Sequence, residues 1–239
     1  DAIGRIRPDA DRRSLVRRLA TAYPETWTYA VDGLTGASPE MLVRVLGREV
    51  ATRVLAGTLA RGRDERSDEA ARAALAGSAK NLHEHRLAVD SALESLRALD
   101  SHDDLLGGLT ASPEPFVLGL PNVWHLASDI RGTLPASASI LDLVEALHPT
   151  AAVGGTPRAE SQAAIDELEP FDRRRYAGPA GWVSADGDGE WVIALRGAEI
   201  DPDGAVTAYA GGGIVATSEI DEEWDETIAK LAPIADALG

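Results

Sequence analysis

Ala180-Gly181-Trp182-Val183-Ser184 and Glu190-Trp191-Val192-Ile193-Ala194-Leu195 flank Asp186-Gly187-Asp188-Gly189. The flanks are apolar and rich in β-formers, and the Asp-Gly steps supply the positive φ that a tight hairpin turn needs. The stretch therefore predicts two antiparallel strands. Working outward, Asp201-Pro202-Asp203-Gly204 is a second turn, leading into an extended segment from Ala205 to Ala210. Upstream, Trp27–Val31 reads as a strand closed by an Asp32-Gly33 turn. Met41–Leu46 and Glu49–Leu55 read as two more strands around Gly47, and Phe116–Leu120 as a short one. Strands come in clusters instead of alternating with helices. That pattern predicts an α+β fold with antiparallel sheet over a doubly wound parallel sheet.

Helices fill the rest. Arg12–Ala22 carries Leu15, Val16, Leu19 and Ala20 at helical spacing and ends before Pro24. The longest helical pattern opens at Ser67-Asp68-Glu69 and runs to about Leu99, with Gly77 tolerated inside it. Ser139 caps a helix to Leu147. Pro157 starts another through Leu168, and an acidic helix closes the chain. His102–Pro115 is polar and turn-rich and reads as a surface loop. With no repeat or linker, the 239 residues read as one domain, the C-terminal portion of a larger one. The chain begins in what reads as the exit from an earlier element and has no starting Met, which predicts a sizeable preceding portion.

Composition narrows the function. The 39 acidic and 23 basic residues give a net charge of −16. That argues against nucleic acid or an anionic membrane as the main partner. There are no cysteines, so thiolate chemistry and disulfides are excluded. No apolar run approaches the ~18 residues of a membrane helix, and the start carries no apolar signal region. A soluble cytoplasmic protein is expected.

The richest segment is the last thirty residues. Gly211-Gly212-Gly213 precedes Ile214-Val215-Ala216 and a helix holding Glu222, Glu223, Glu226 and Lys230. Glu223 and Glu226 are i,i+3 and share a helix face. Carboxylates beyond a glycine-rich turn suit a hard divalent cation with an anionic ligand. Glu84, in Lys80-Asn81-Leu82-His83-Glu84-His85, could add a third carboxylate, and oxygen donors favour Mg²⁺ over zinc. Lys80 and Glu84 read equally as a surface i,i+4 pair. His83 and His85 cannot share a helix face, which disfavours a His-His metal pair.

Other segments are more ambiguous alone. Gly36-Ala37-Ser38-Pro39-Glu40 reads more readily as a turn with an exposed acid than as a general acid aimed by Pro39. Leu55-Ala56-Gly57-Thr58 reads as a strand end, and Arg61-Gly62-Arg63 as a mobile basic loop. His148-Pro149-Thr150-Ala151-Ala152-Val153-Gly154-Gly155 reads as a ligand-facing turn. Arg173-Arg174-Arg175 reads as a solvated basic run. Arg196 ends a buried-looking strand and needs a carboxylate partner, from protein or substrate.

Together, GASPE, LAGT, KNLHEH, HPTAAVGG, FDRRRYAGPAGW, ALR and AGGGIVATSEIDEEWDET resemble the chorismate-utilising enzymes: isochorismate, salicylate, anthranilate and aminodeoxychorismate synthases. The segments occur in that family's order and approximate spacing, from about Thr28 to the C-terminus. Within the family, GASPE and HPTAAVGG resemble the isochorismate synthase branch. Ala56 stands where aminodeoxychorismate synthases carry a lysine. Ala152 stands where salicylate and anthranilate synthases tend to carry Thr.

The resemblance implies a fold of two large antiparallel sheets with helices outside and the site in a cleft. It implies Mg²⁺ held by Glu84, Glu223 and Glu226 against the ring carboxylate of chorismate. Arg196, Tyr176 and the backbone from Gly211 to Gly213 would hold the enolpyruvyl carboxylate. Gly57 and Thr58 would line the ring, His125 would border it, and Lys230 would pair with an acid near the metal helix. Glu40 would protonate the departing 4-hydroxyl, which calls for a carboxyl pKa raised by burial. Water would add at C2, and the isochorismate would feed menaquinone or siderophore synthesis. A monomer is the default for the branch.

Two departures stand out. The family's general-base lysine, in a strand motif like KVVLAR, would fall just upstream of Asp1. Neither Lys80 nor Lys230 can replace it, since both match other family positions. Asn81 stands where relatives usually carry an acid. Salicylate synthase, which adds pyruvate elimination, is the alternative within the class. A non-catalytic chorismate-binding module is the alternative outside it, and an amidotransferase-linked chain is less favoured.

Overall fold

The structure is a computed structural model that describes residues 1–99, 107–120, 123–216 and 218–239. In order, the elements are β1 (Ala2–Arg5), α1 (Arg12–Ala22), β2 (Trp27–Val31), β3 (Leu34–Ser38), β4 (Met41–Leu46) and β5 (Glu49–Ala60). Then come α2 (Glu65–Gly77), α3 (Ala79–Ala98), β6 (Gly107–Ala111), β7 (Phe116–Gly119) and β8 (Val123–Thr133). There follow α4 (Ile140–Leu147), α5 (Ala151–Gly154), α6 (Arg158–Leu168), β9 (Pro179–Val183) and β10 (Gly189–Ile193). β11 (Gly197–Ile200), β12 (Ala205–Ala208) and α7 (Ile220–Leu238) complete the chain. The chain divides into two compact units, one of Asp1–Glu40, Ala164–Gly181 and Val192–Gly239, the other of Met41–Ala163 and Trp182–Trp191.

The first unit holds a five-stranded antiparallel sheet, ordered β1-β12-β11-β3-β2. The β2–β3 hairpin turns on Asp32 (φ 45°) and Gly33 (φ 86°), the left-handed pair the Asp-Gly step predicts. Leu15 and Leu19 of α1 and Ile234 and Ala237 of α7 pack on Ala37, Ala198, Ile200, Val206 and Ala208. Asp11 caps α1 by accepting from the Arg13 N–H. A second cluster joins Tyr29, Leu34, Ala180, Val192 and Ala194. Gly36 lies opposite Gly197 in the β3–β11 ladder. A Cβ on either would strike the Tyr29 phenol, so the glycine pair makes room for that ring. The Tyr29 hydroxyl donates to the Leu195 C=O (2.9 Å), fixing the backbone just before Arg196.

Strands of the second unit belong to a seven-stranded sheet, ordered β6-β8-β5-β4-β10-β9 with β7 also on β8. Its centre is the long β5–β8 ladder, which slips once: Leu55 faces Ala127 and Thr58 faces His125. Ala56 and Gly57 thus oppose Leu126 alone, a β-bulge, with Gly57 at φ 80°. β5 therefore continues beyond the expected strand end. α4 is capped as expected, the Asp142 carboxylate accepting from the Ser139 N–H (2.7 Å) and hydroxyl (2.8 Å).

Several expectations are corrected. The single helix from Ser67 to Leu99 is two, because Ser78 adopts an extended conformation (φ −75°, ψ 107°) and caps α3 through the Asn81 N–H. Part of the presumed loop after His102 is β6; residues 102–106, like Thr217 of the glycine-rich segment, lie outside the described residues. The His148–Gly155 turn contains the short α5. The Arg173–Arg175 run is an irregular segment with Arg174 and Arg175 exposed, as expected, but its guanidinium groups are ion-paired. Arg173 pairs with Glu169 (2.5 Å), while Arg174 (3.3 Å) and Arg175 (3.2 Å) both pair with the buried Glu199. Arg61-Gly62 is also pinned. Asp68 accepts from the Arg61 Nε–H (3.1 Å), the Gly62 N–H (3.0 Å) and the Trp124 indole N–H (2.9 Å).

Candidate active site

The first unit carries Glu40, Tyr176, Arg196, Gly211, Gly213, Glu223, Glu226 and Lys230. Pro39 removes a ladder N–H between β3 and β4. Ser38 compensates: its buried hydroxyl donates to the Ile193 C=O (2.6 Å) and accepts from the Glu40 N–H (3.1 Å). The Ile193 N–H donates to the Glu40 C=O (3.1 Å). Glu40 is thus a half-buried acid on a fixed backbone, not the exposed acid of a loose turn.

Arg196 follows β10 at φ 52°, a left-handed conformation rare for a side chain of its size. Among the described residues its guanidinium makes no hydrogen bond or ion pair. Burial lowers its pKa, and Tyr176, Glu226, Glu40 and Tyr23 offset part of that effect. A guanidinium so placed is a seat for an anion, because its fork of donors is unspent. Tyr176 stacks on the buried Tyr209, centroids 5.5 Å apart and 16° from parallel. Burial raises the Tyr176 pKa, partly countered by Arg173 and Arg196. The hydroxyl therefore stays protonated at neutral pH and can donate.

The glycine run meets α7 at its carboxylates. A Cβ on Gly212 would stand 2.7 Å from Glu223 Oε2 and 3.9 Å from Glu226 Oε1. Glu223 Oε1 accepts from the Ser218 hydroxyl (2.6 Å). Lys230 bridges Glu226 (2.5 Å) and the Gly211 C=O (2.8 Å). Two carboxylates thus converge on the bare face of a glycine, with one oxygen of Glu223 making no hydrogen bond among the described residues. This donor set fits Mg²⁺, whose hard character selects carboxylate oxygen. Among the described residues no three His, Cys, Asp or Glu side chains are grouped to hold a metal; Glu223 and Glu226 form a pair.

The second unit carries Gly57, Thr58, Glu84, His125 and Ala152. Thr58 Oγ1 and His125 Nδ1 are 2.9 Å apart. A Cβ on Gly57 would meet Asn81 Cβ at 3.1 Å and Leu126 Cδ1 at 3.3 Å, so only glycine fits there without a shift. Asn81 turns back to its helix cap, donating to Ser78 Oγ (2.9 Å). Glu84 is half-buried, with Lys80 Nζ at 3.8 Å. Ala152 is exposed on α5.

Sequence reasoning passed over His85, Ser38 and Tyr209. His85 is buried with both ring nitrogens engaged, Nδ1 to the Ala56 C=O (3.1 Å) and Nε2 to the Ser128 hydroxyl (2.9 Å). Burial holds its pKa below the usual range, opposed by the Ala56 bond. The spacing rule that disfavours a His-His metal pair holds, since His83 points to solvent, but it leaves the buried ring without a role.

Residues 5–239 match the profile of the chorismate-binding enzymes, and the chain belongs to that family. It is 43% identical over 242 residues to a candidate isochorismate synthase, MenF, of Mycobacterium tuberculosis (strain ATCC 25618 / H37Rv), covering 96% of this chain and 63% of that protein. Against isochorismate synthase DhbC of Bacillus subtilis (strain 168) it is 38% identical over 237 residues, covering 94% and 58%. A crystal structure of a candidate 2,3-dihydroxybenzoate-specific isochorismate synthase, DhbC, from Bacillus anthracis superposes with TM-score 0.87 at 36% identity, covering 96% of this chain and 62% of that one. Anthranilate synthase component I from Streptococcus pneumoniae TIGR4 gives TM-score 0.81 at 28% identity, covering 97% and 51%. The α+β fold with large antiparallel sheets is therefore the fold of these enzymes. The chain spans about three-fifths of the length of the curated relatives it matches.

Proposed function

We propose that this chain carries the substrate-binding and acid-catalytic part of an isochorismate synthase, an isomerase acting on chorismate. The observation that carries the reading is Arg196, a half-buried guanidinium that makes no hydrogen bond or ion pair among the described residues, beside a protonated Tyr176. That pair suits the enolpyruvyl carboxylate, and the family membership supplies the ligand class. Glu40 would deliver a proton to the departing 4-hydroxyl from its fixed backbone. Gly57 would allow the ring to approach the strand backbone, and Thr58, oriented by His125, would present a hydroxyl. Glu223 and Glu226 would hold Mg²⁺. When bound, that ion would neutralise the ring carboxylate and polarise the ring toward loss of the 4-hydroxyl, which leaves as water with the proton from Glu40.

The test is product analysis by chromatography after incubation of the chain with chorismate, with and without Mg²⁺. Mg²⁺-dependent binding of chorismate is the expected result, with isochorismate formed only where the base lysine is also present in the sample. Salicylate as the product would overturn the assignment to this branch. Chorismate bound but left unconverted even with that lysine present would favour the non-catalytic reading, and chorismate neither bound nor converted would overturn both.

A further inference from the structure

A bulge normally leaves backbone groups unmatched in the ladder. In β5 the slip at Ala56-Gly57 frees the Ala56 carbonyl, and it points at His85. A carbonyl can only accept, so His85 Nδ1 carries the proton and Nε2 is the acceptor. Nε2 then receives the hydroxyl hydrogen of Ser128, a buried residue of β8 lying opposite Val54 of β5. One imidazole thus ties α3 to both partners of the central ladder, at the slip and just before it. The residue before it on α3 is Glu84, and one turn earlier Asn81 lies against Gly57.

We propose that His85 is a positioning residue: its Nδ1–H bond to Ala56 sets the Gly57-Thr58 bulge and the rotational phase of the helix that carries Glu84. The proposal rests on the reading in which Gly57 and Thr58 line the substrate ring. Both ring nitrogens of His85 are spent on Ala56 and Ser128, so it acts through those residues. The bond to Ala56 is the one that matters, because it fixes the bulge itself; the bond to Ser128 satisfies the second nitrogen.

Two substitutions separate the bonds. His85→Asn places an amide N–H₂ near the Nδ1 position and retains a donor for Ala56. His85→Gln places its amide near the Nε2 position, keeping an acceptor for Ser128 and losing the donor. Both remove a ring from the same buried place, so a merely structural role predicts equal losses.

Two readouts apply to the full chain. In hydrogen exchange without ligand, His85→Gln should speed the peptide covering Leu55–Leu59 by about tenfold, the worth of one buried hydrogen bond. His85→Asn should stay within about threefold, and α4 should be unchanged in both. In titration with chorismate and Mg²⁺, His85→Gln should weaken binding by about tenfold or more while His85→Asn stays within about threefold. Equal exchange at Leu55–Leu59 in the two variants would overturn the clamp. Unequal exchange with equal chorismate affinity would overturn the positioning role. If the parent chain fails to bind chorismate, the proposed function fails, and hydrogen exchange still decides the clamp.

Discussion

At the scale of single residues, the proposed chemistry turns first on Arg196, whose guanidinium makes no hydrogen bond or ion pair among the described residues. Leaving a charge buried without a hydrogen-bonded partner costs stability, so replacing it should not harm the fold. Arg196→Met keeps the apolar stem and removes the charge. We expect an unchanged or raised melting temperature and a loss of chorismate affinity of about 10–100-fold, the range for charge-assisted hydrogen bonds. A large drop in melting temperature would mean that the guanidinium serves the fold. Gly212→Ala makes a complementary test. The added methyl meets the movable end of Glu223, not backbone. Thermal stability should change by no more than about 0.5 kcal/mol, while Mg²⁺ affinity measured by calorimetry falls about tenfold. Part of this was open to sequence reasoning: the shared face of Glu223 and Glu226 follows from their spacing and the need of Arg196 for an anionic partner from its place after a strand, while Glu40 stands out only through the family resemblance. His85 was not, because its role lies in a contact with a carbonyl twenty-nine positions away, which no helical period announces.

At the scale of elements, the bulge in β5 and the junction into α2 carry the testable content. Gly57 is left-handed and crowded by Asn81 and Leu126. Gly57→Ala should lower stability by about 1–3 kcal/mol, read by chemical denaturation. An unchanged midpoint would show that the bulge relaxes freely. The junction after β5 is held by Asp68. The Arg61 guanidinium first, then the Trp124 and Gly62 N–H groups, hold its carboxyl at about 2, well below the usual carboxylate range. A depressed carboxylate stabilises the folded form fully above its unfolded pKa, and that contribution is lost as pH falls through the folded value. Hydrogen exchange at Arg61-Gly62 should therefore be steady from pH 7 to about 4, after correction for intrinsic rates, and open between about 4 and 2. Opening already at pH 6 would point to another group. The strand clusters were readable because hairpin turns announce themselves, as Asp32-Gly33 and Asp186–Gly189 do. β8 was missed because a central strand carrying Ser128 and Asp129 shows no alternation, and its Asp129 is answered by Arg53 of β5 (2.6 Å), with Arg131 further off (3.9 Å). β11 was missed because four residues are too few for a period, and its buried Glu199 looks polar until Arg174 and Arg175 are placed against it. The break at Ser78 was masked by an apolar pattern that stays in phase across it.

At the scale of the whole molecule, a chain of net charge −16 is proposed to bind a dianion. Long-range electrostatics oppose that association, and local cations must overcome it. Arg196 and Lys230 supply positive charge, but Lys230 is already shared between Glu226 and the Gly211 carbonyl. A divalent ion on the carboxylates is then the remaining source of attraction for the ring carboxylate. Chorismate binding should accordingly depend on Mg²⁺ far more than on ionic strength. The direct measurement is calorimetric titration of the chain with chorismate at fixed ionic strength, with Mg²⁺ and with EDTA. The account predicts one chorismate per chain with Mg²⁺ and at least about tenfold weaker binding without it. Equal affinity under both conditions, or no binding in either, would contradict it.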